Sequence, residues 1–259
     1  MLLLFSFEPP VWQFVALAPY YSLLFLQAVL FLPSASAIAP SACPLWLLMD
    51  PKKLRALSAN VRGLNSSGRR DTVRDLASDA NATIACLQET KLEVVDRRVI
   101  VESLGVDFAD NFVYLPAVGT RGGIILAARG NVFSLAAAGS TGNTISATIT
   151  DREDGSTWGI TGVYGPQGDT EKYAFIDELR GLANSRPAKW LILGDFNLIY
   201  RTQDKNNGRL NRRMMGKFKS ALDAWRLREL RLTGKKFTWS NEQATPMLTR
   251  IDRFFCSDA

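Results

Sequence analysis

The sequence contains no histidine. That absence excludes Ser-His-Asp and Cys-His catalytic pairs and the HExxH zinc helix, all of which need an imidazole. Cysteine is scarce. Cys43, Cys86 and Cys256 are too far apart for a zinc ribbon or a CxxC redox pair. An odd, sparse set also argues against a disulfide scaffold and for a reducing compartment. Residues 9–49 carry no charged side chain at all. Catalysis by this chain must therefore rest on carboxylates, amides, hydroxyls, Lys and Arg, or a hard metal ion.

What is present suits a globular body. The 259 residues, 47% of them hydrophobic, allow one large domain or two small ones around a sizeable core. The net charge of +6 is unevenly spread. Residues 1–50 hold Glu8 and Asp50 and no cation, so residues 51–259 carry +8. A basic body raises the prior for an anionic partner, nucleic acid first among them.

The chain divides into an uncharged leader, 1–50, and a body, 51–259. Three readings of the leader stand open. Val11–Leu32, interrupted by Gln13, Pro19 and Gln27, is long enough to cross a bilayer. Lys52, Lys53 and Arg55 would then hold the body on the cytosolic side. Ser34-Ala35-Ser36-Ala37 resembles a signal cleavage site, although the positive region that should open a signal is absent. Met49 could instead be the functional start, with 1–48 an upstream extension or a gene-model error.

From Leu54 onward, apolar runs and turn signals alternate in a mixed α and β pattern. Leu54–Val61 and Ala82–Leu87 read as strands, and Arg69–Ala80 and Lys91–Leu104 as helices. Phe112–Leu115, Gly123–Ala128, Val132–Ala137, Thr144–Thr150 and Trp158–Tyr164 form a β-meander pattern. Thr170–Ala183 reads as a helix and Lys189–Leu193 as a buried strand. Asn211–Leu227 is a basic helix with Met215, Phe218, Leu222 and Trp225 on one side. Phe237–Ser240 and Leu248–Cys256 read as the last strands.

Polar residues recur where these runs end. Asn60 ends the first, Gln88-Glu89-Thr90 the next, Tyr164-Gly165-Pro166 the meander and Asp195-Phe196-Asn197 the buried strand, while Asp252 sits within the last. Ligands gather where strand ends converge. An extended segment would put Asp195 and Asn197 on one side. Asn60, Glu89 and Asp195 offer hard oxygen donors, which suit Mg²⁺ or Mn²⁺ rather than zinc. Each position alone also has an ordinary role as a turn former, helix cap or core ring.

In this order, Ser58-Ala59-Asn60-Val61-Arg62-Gly63-Leu64-Asn65, Gln88-Glu89-Thr90-Lys91, Val163-Tyr164-Gly165-Pro166, Gly194-Asp195-Phe196-Asn197 and Arg250-Ile251-Asp252-Arg253 resemble the endonuclease/exonuclease/phosphatase superfamily. Asp195–Ile199 with Asp204-Lys205-Asn206-Asn207 and Phe237-Thr238-Trp239-Ser240-Asn241 is similar to the endonuclease domain of plant LINE-type (non-LTR) retrotransposons. The resemblance covers about 52–259. It implies an α/β fold, a four-layer αββα sandwich of two mixed sheets flanked by helices. It also implies Mg²⁺-dependent hydrolysis of a DNA phosphodiester in the nucleus or cytoplasm. In that scheme Glu89 ligates the metal with help from Asn60, and Asp195 positions or deprotonates the attacking water. Asn197 and Tyr164 contact the phosphate, and Asp252 orients a catalytic histidine. Two departures follow. Ala59 stands where the family usually has Trp, and the family's Ser-Asp-His motif has no counterpart, so the expectation is a C-terminally truncated domain lacking its last strand or strands. Cys256-Ser257-Asp258-Ala259 follows Asp252 too closely to be that motif.

Arg201–Lys236 contains 12 Lys and Arg against three acids, a net of +9. Arg201, Lys205, Arg209, Arg212, Arg213 and Lys217 are its candidate contacts to a DNA backbone, with a solvated helix face as the plainer reading. Arg121 in Thr120-Arg121-Gly122-Gly123 either contacts phosphate near the site or is a surface residue of a Gly turn, the turn being the preferred reading. Three functions therefore remain at the level of sequence: a DNA endonuclease impaired by its missing histidine, a dead remnant that at most binds nucleic acid, and a membrane-anchored phosphatase of the same superfamily.

Overall fold

The computed structural model describes residues 13–16, 27–31, 54–119, 121–182, 187–233 and 235–257. Most of Val11–Leu32, and all of Ser34–Ala37, Cys43, Met49, Lys52 and Lys53, lie outside these residues. No helix among the described residues is long and apolar enough to cross a membrane.

Two sheets dominate. The first runs, in spatial order, β12 (Leu232–Thr233), β1 (Gln13–Ala16), β2 (Gln27–Phe31), β3 (Arg55–Asn60), β4 (Ile84–Gln88), β6 (Arg121–Ala128) and β5 (Phe112–Val118). The second runs β11 (Leu227–Glu229), β15 (Asp252–Ser257), β10 (Trp190–Asp195), β9 (Thr157–Tyr164), β8 (Thr144–Asp151) and β7 (Phe133–Ser140). A short hairpin, β13 (Trp239–Ser240) with β14 (Leu248–Thr249), stands apart. The helices are α1 (Ser67–Asp79), α2 (Arg97–Leu104), α3 (Asp169–Leu182) and α4 (Arg212–Ala224).

The layering follows from strands that are apolar on both faces. Along β4, Ile84 and Cys86 point toward the second sheet, while Ala85 and Leu87 pack under α1 and α2. Along β10, Leu191 and Leu193 face the first sheet, while Trp190 and Ile192 face α3 and α4. Phe254 and Phe255 divide the same way. Side chains alternate across a strand, so such a run must be covered twice, and the outcome is helix, sheet, sheet, helix. The expected four-layer sandwich of two mixed sheets is the observed fold. The sheets approach closely at Gly162, where an added Cβ would meet Cys86 Sγ at 2.8 Å. Burial there pushes the Cys86 thiol up to about 12, so it behaves as packing rather than as a nucleophile.

Several sequence expectations change in detail. The meander is split, since β5 and β6 belong to the first sheet and β7, β8 and β9 to the second. Helix Lys91–Leu104 starts only at Arg97, because Asp96 caps it by accepting from Val99 N at 2.9 Å. The basic helix ends at Ala224, and it buries Met214 rather than Met215. Leu248–Cys256 breaks at Arg250 and Ile251, where the Ile251 and Asp252 amides turn to donate to Thr238 Oγ1 at 3.0 and 3.2 Å.

Gly194 lets β10 lie against β9: its φ is +142, and a Cβ there would sit 2.1 Å from Val163 O. The Gly194→Ala variant should lose well over ~1 kcal/mol, because both backbone and space forbid the methyl. Gly181→Ala in α3, with nothing within 4 Å, should gain about 0.5–1 kcal/mol. Urea midpoints of the two variants, read against wild type, check both signs.

Candidate active site

Strand register brings the site together. β3 and β4 are parallel with Asn60 opposite Gln88, so the first sheet delivers Asn60 and Glu89 side by side. β9 and β10 are parallel with Tyr164 opposite Asp195, and antiparallel β15 sets Asp252 against Asp195. Stacking the sheets closes the gap, and the Asn60 amide donates to Asp195 Oδ2 at 3.2 Å.

A cavity of about 300 Å³ results, lined by Asn60, Arg62, Glu89, Gln167, Asp195, Asn197, Thr238, Trp239 and Asp252. Five of the six predicted catalytic and metal-binding residues share it. The sixth, Tyr164, lines an adjoining groove of about 540 Å³ that has Glu89 and Gln167 in common with the cavity. Arg121, placed in a turn by its sequence, opens β6 on the rim of that groove. Gln167, Arg62, Thr238 and Trp239 were not expected in the site. For Gln167 the available signal was its position in the turn that continues Tyr164-Gly165-Pro166.

The loops are held in unusual conformations. Arg62, Glu89 and Asn197, all lining the cavity, have φ of 50, 56 and 50. Non-glycine residues in this region carry a local cost of ~1–3 kcal/mol each and concentrate at functional sites. Asp195 and Asn197 therefore do not share an extended segment as expected. Asn197 turns back, its amide N–H donating to Asp195 Oδ1 at 2.9 Å and its side chain to Gly165 O at 2.7 Å. The Glu89 loop is tied by Thr90 N to Gly123 O at 3.2 Å and Lys91 N to Gly122 O at 3.0 Å. Asn60 also makes the Asx turn its residue type suggests, accepting from Arg62 N at 3.2 Å.

Electrostatics define what the site is short of. Asp195 and Asp252 are 4% and 5% exposed and stand opposite each other. Burial, against the hydrogen bonds from Asn197 and Asn60, pushes Asp195 up to about 6, and Glu89 adds to the rise. Burial first, then Asp195, holds Asp252 well above the usual carboxylate range. Burial and the charges of Glu89 and Asp195 raise Tyr164 as well, so its hydroxyl stays a donor. Cations are few: Lys91 pairs with Glu89 at 3.1 Å, and Lys172 feels Asp195 but is pushed down chiefly by burial and further by Lys205. Three carboxylates thus face a cavity to which Arg62, alone among the lining residues, brings positive charge.

That donor set fits a hard cation. Among the described residues no three His, Cys, Asp or Glu side chains form a closed cage. Mg²⁺ does not need one, since it binds through one or two carboxylates and keeps several waters. Glu89 and Asn60 would hold it, with Asp195 beside them.

The basic run is not one surface. Lys205 lies near Lys172 and donates to Arg209 O at 2.9 Å. Lys217 covers the Tyr173 ring on α3 at 5.2 Å. Arg212 and Arg213 open α4, exposed. Arg201 points elsewhere, pairing with Glu229 at 3.3 Å.

Residues 57–259 match the Endonuclease/Exonuclease/phosphatase family, and the chain belongs to it. No curated protein matches significantly. Among solved structures, the endonuclease domain of TRAS1, a telomere-specific non-LTR retrotransposon, aligns with a TM-score of 0.57 at 15% identity, over 79% of this chain and 85% of that one. AP endonuclease LMAP from Leishmania major gives 0.59 at 15% identity, over 85% and 84%. The catalytic domain of Xenopus laevis APE2 gives 0.56 at 18%, over 76% and 80%. At these identities the likeness is one of fold.

A carboxyl group with a raised folded pKa binds its proton more tightly when folded, so stability is present at low pH and lost as pH rises through the folded value. In chelator, thermal unfolding should therefore show stability falling between about pH 4 and 6 on account of Asp195. Asp195→Asn should flatten that slope. An unchanged slope would mean that Asp195 keeps its charge at no cost.

Proposed function

We propose that this chain is a divalent-cation-dependent phosphodiesterase acting on DNA, of the kind found in LINE-type retrotransposons. The observation that carries the reading is the convergence of Asn60, Glu89, Asp195, Asn197 and Asp252 on one open polar cavity at the meeting edge of two sheets. Membership of the family and the neighbouring endonuclease structures support it. The catalytic body is residues 51–259, to which the segment 1–50 adds β1 and β2 beside β3, and a DNA substrate suits the nucleus or cytoplasm.

In this reading Glu89 and Asn60 hold Mg²⁺, with Mn²⁺ as a substitute. A cation there polarises the phosphoryl oxygen and offsets charge in an in-line displacement. Asp195 orients the attacking water and accepts its proton, a role that suits a carboxylate raised toward neutral pH. Tyr164, kept protonated, and Asn197 donate to the phosphate. Lys172 and Lys205 supply positive charge beside it, with Arg209 and Lys217 further out. Arg212 and Arg213 stand at the positive end of α4, an unfavourable place for cations that a bound phosphate would relieve.

Asp252 has no imidazole to orient, because the 259 residues contain none. The loss of one acid–base group lowers a rate by ~10² to 10⁴-fold, so this chain by itself is expected to be a slow enzyme.

Nicking of supercoiled plasmid tests the reading. Slow nicking with Mg²⁺ is expected, abolished by chelator and reduced at least ~10²-fold by Glu89→Ala. Wild-type activity equal to that of the variant and of the metal-free control would leave a nucleic-acid-binding remnant as the surviving reading.

A further inference from the structure

A second cleft, of about 710 Å³, shares no residue with the site cavity. Arg201, Gln203, Asp204, Arg231, Leu232, Lys235, Lys236 and Arg250 line it. Five of these eight are cations, and four of the five (Arg201, Arg231, Lys235 and Lys236) are exposed.

The acids beneath them are already engaged. Asp204 and Glu229, whose side chains are 6% and 3% exposed, both bind Arg253, which is 0% exposed. Asp204 Oδ2 also accepts from the Tyr200 and Arg201 amides at 3.2 and 2.6 Å. Glu229 also pairs with Arg250 at 2.8 Å and Arg201 at 3.3 Å. Three guanidiniums therefore share two carboxylates. Among the described residues no carboxylate pairs with Arg231, Lys235 or Lys236. The cleft and its floor carry a net +4, and the cations are held in place by more than solvent: Arg201 lies over the Tyr200 ring at 5.0 Å and Lys236 over Phe237 at 5.2 Å.

The cleft is close to the site along the chain. Arg250 is two residues from Asp252, and Lys236 two from Thr238, which also lines the site cavity. Two residues span at most ~7 Å of backbone. A strand whose phosphate is held at Glu89 and Asp195 would meet this cleft within a few nucleotides, since successive phosphates on a strand are spaced by ~3.4 Å of helix rise. A wide, open cleft ringed by several cations fits a chain of phosphates better than a single small anion.

We propose that this cleft is a second backbone-binding site for nucleic acid, set a few nucleotides from the cleaved phosphate. It rests on the phosphodiesterase reading for its ligand, but its test does not depend on catalysis. The affinity of a short DNA duplex is measured in chelator across a range of KCl concentrations, for wild type, Lys235→Gln/Lys236→Gln and Lys189→Gln. Lys189 is exposed and precedes β10, at the opposite end of that strand from Asp195. The slope of log affinity against log salt should become shallower by about 2 in the double variant, close to one unit per lost phosphate contact. It should be unchanged in the Lys189 variant. An unchanged slope in the double variant, or an equal change in both, overturns the cleft. Binding to phosphatidylserine vesicles that falls in the double variant, with the DNA slope intact, would assign the cleft to a membrane and overturn it too. Nicking without a slope change removes the cleft alone. A slope change without nicking removes the phosphodiesterase reading alone. No DNA binding by wild type removes both.

Discussion

The structure depends on two sheets buried against each other, each containing a parallel pair of strands whose carboxyl ends lie at the same edge. β3 with β4 and β9 with β10 are the two pairs. Strands that are apolar on both faces leave no choice but to stack, and stacking carries the loops after Asn60, Gln88, Tyr164 and Asp195 into one place. The 3.2 Å hydrogen bond from Asn60 to Asp195 records that meeting across the sheet interface. Even the close approach at Gly162 serves it, since a bulkier residue over Cys86 would separate the sheets and open the site.

Having been brought together, the site residues are poor neighbours. Asp195 and Asp252 oppose each other out of solvent, Glu89 adds charge nearby, and three lining residues sit in left-handed conformations. None of this favours folding. Such local costs are usual where a protein keeps groups ready for a ligand. The same arrangement explains why Tyr164 stays protonated: a phenolate would be a further anion beside Glu89 and Asp195.

Positive charge is handled in two ways. Arg253 is enclosed completely; its two terminal nitrogens bind Asp204, Glu229 and the Arg250 carbonyl, while its Nε has no hydrogen-bond partner. A buried cation of this kind is destabilising unless its partners are in place, so it makes the Asp204 turn, β11 and β15 mutually dependent. Because those acids are occupied, Arg231, Lys235 and Lys236 stand exposed above them with no carboxylate partner among the described residues. The buried network and the basic cleft are thus two aspects of one charge distribution.

Much was legible beforehand because local chemistry dictates it. Alternating apolar runs announced the strands, and Asn60, Glu89, Tyr164, Asp195 and Asp252 stood out as polar residues ending or interrupting them. Other features were not legible. Nothing local assigns β5 and β6 to one sheet and β7, β8 and β9 to the other, since all five are short apolar strands joined by turns. Met214 is buried and Met215 only half-buried, although either spacing to Phe218 fits one helix face. The run Arg201–Lys236 read as one basic patch, yet its cations point to separate surfaces.

By itself, then, the sequence determined which segments are buried on both faces and which polar groups must emerge at their ends, because the two-residue side-chain period of a strand is a local property. Only the tertiary structure decided that those ends meet, that Asn197 turns back toward Asp195, that Gln167 and Trp239 join the site, and that Arg201 lines a cleft separate from the site cavity. These are matters of long-range pairing and of which acids are already engaged, and no local spacing encodes them.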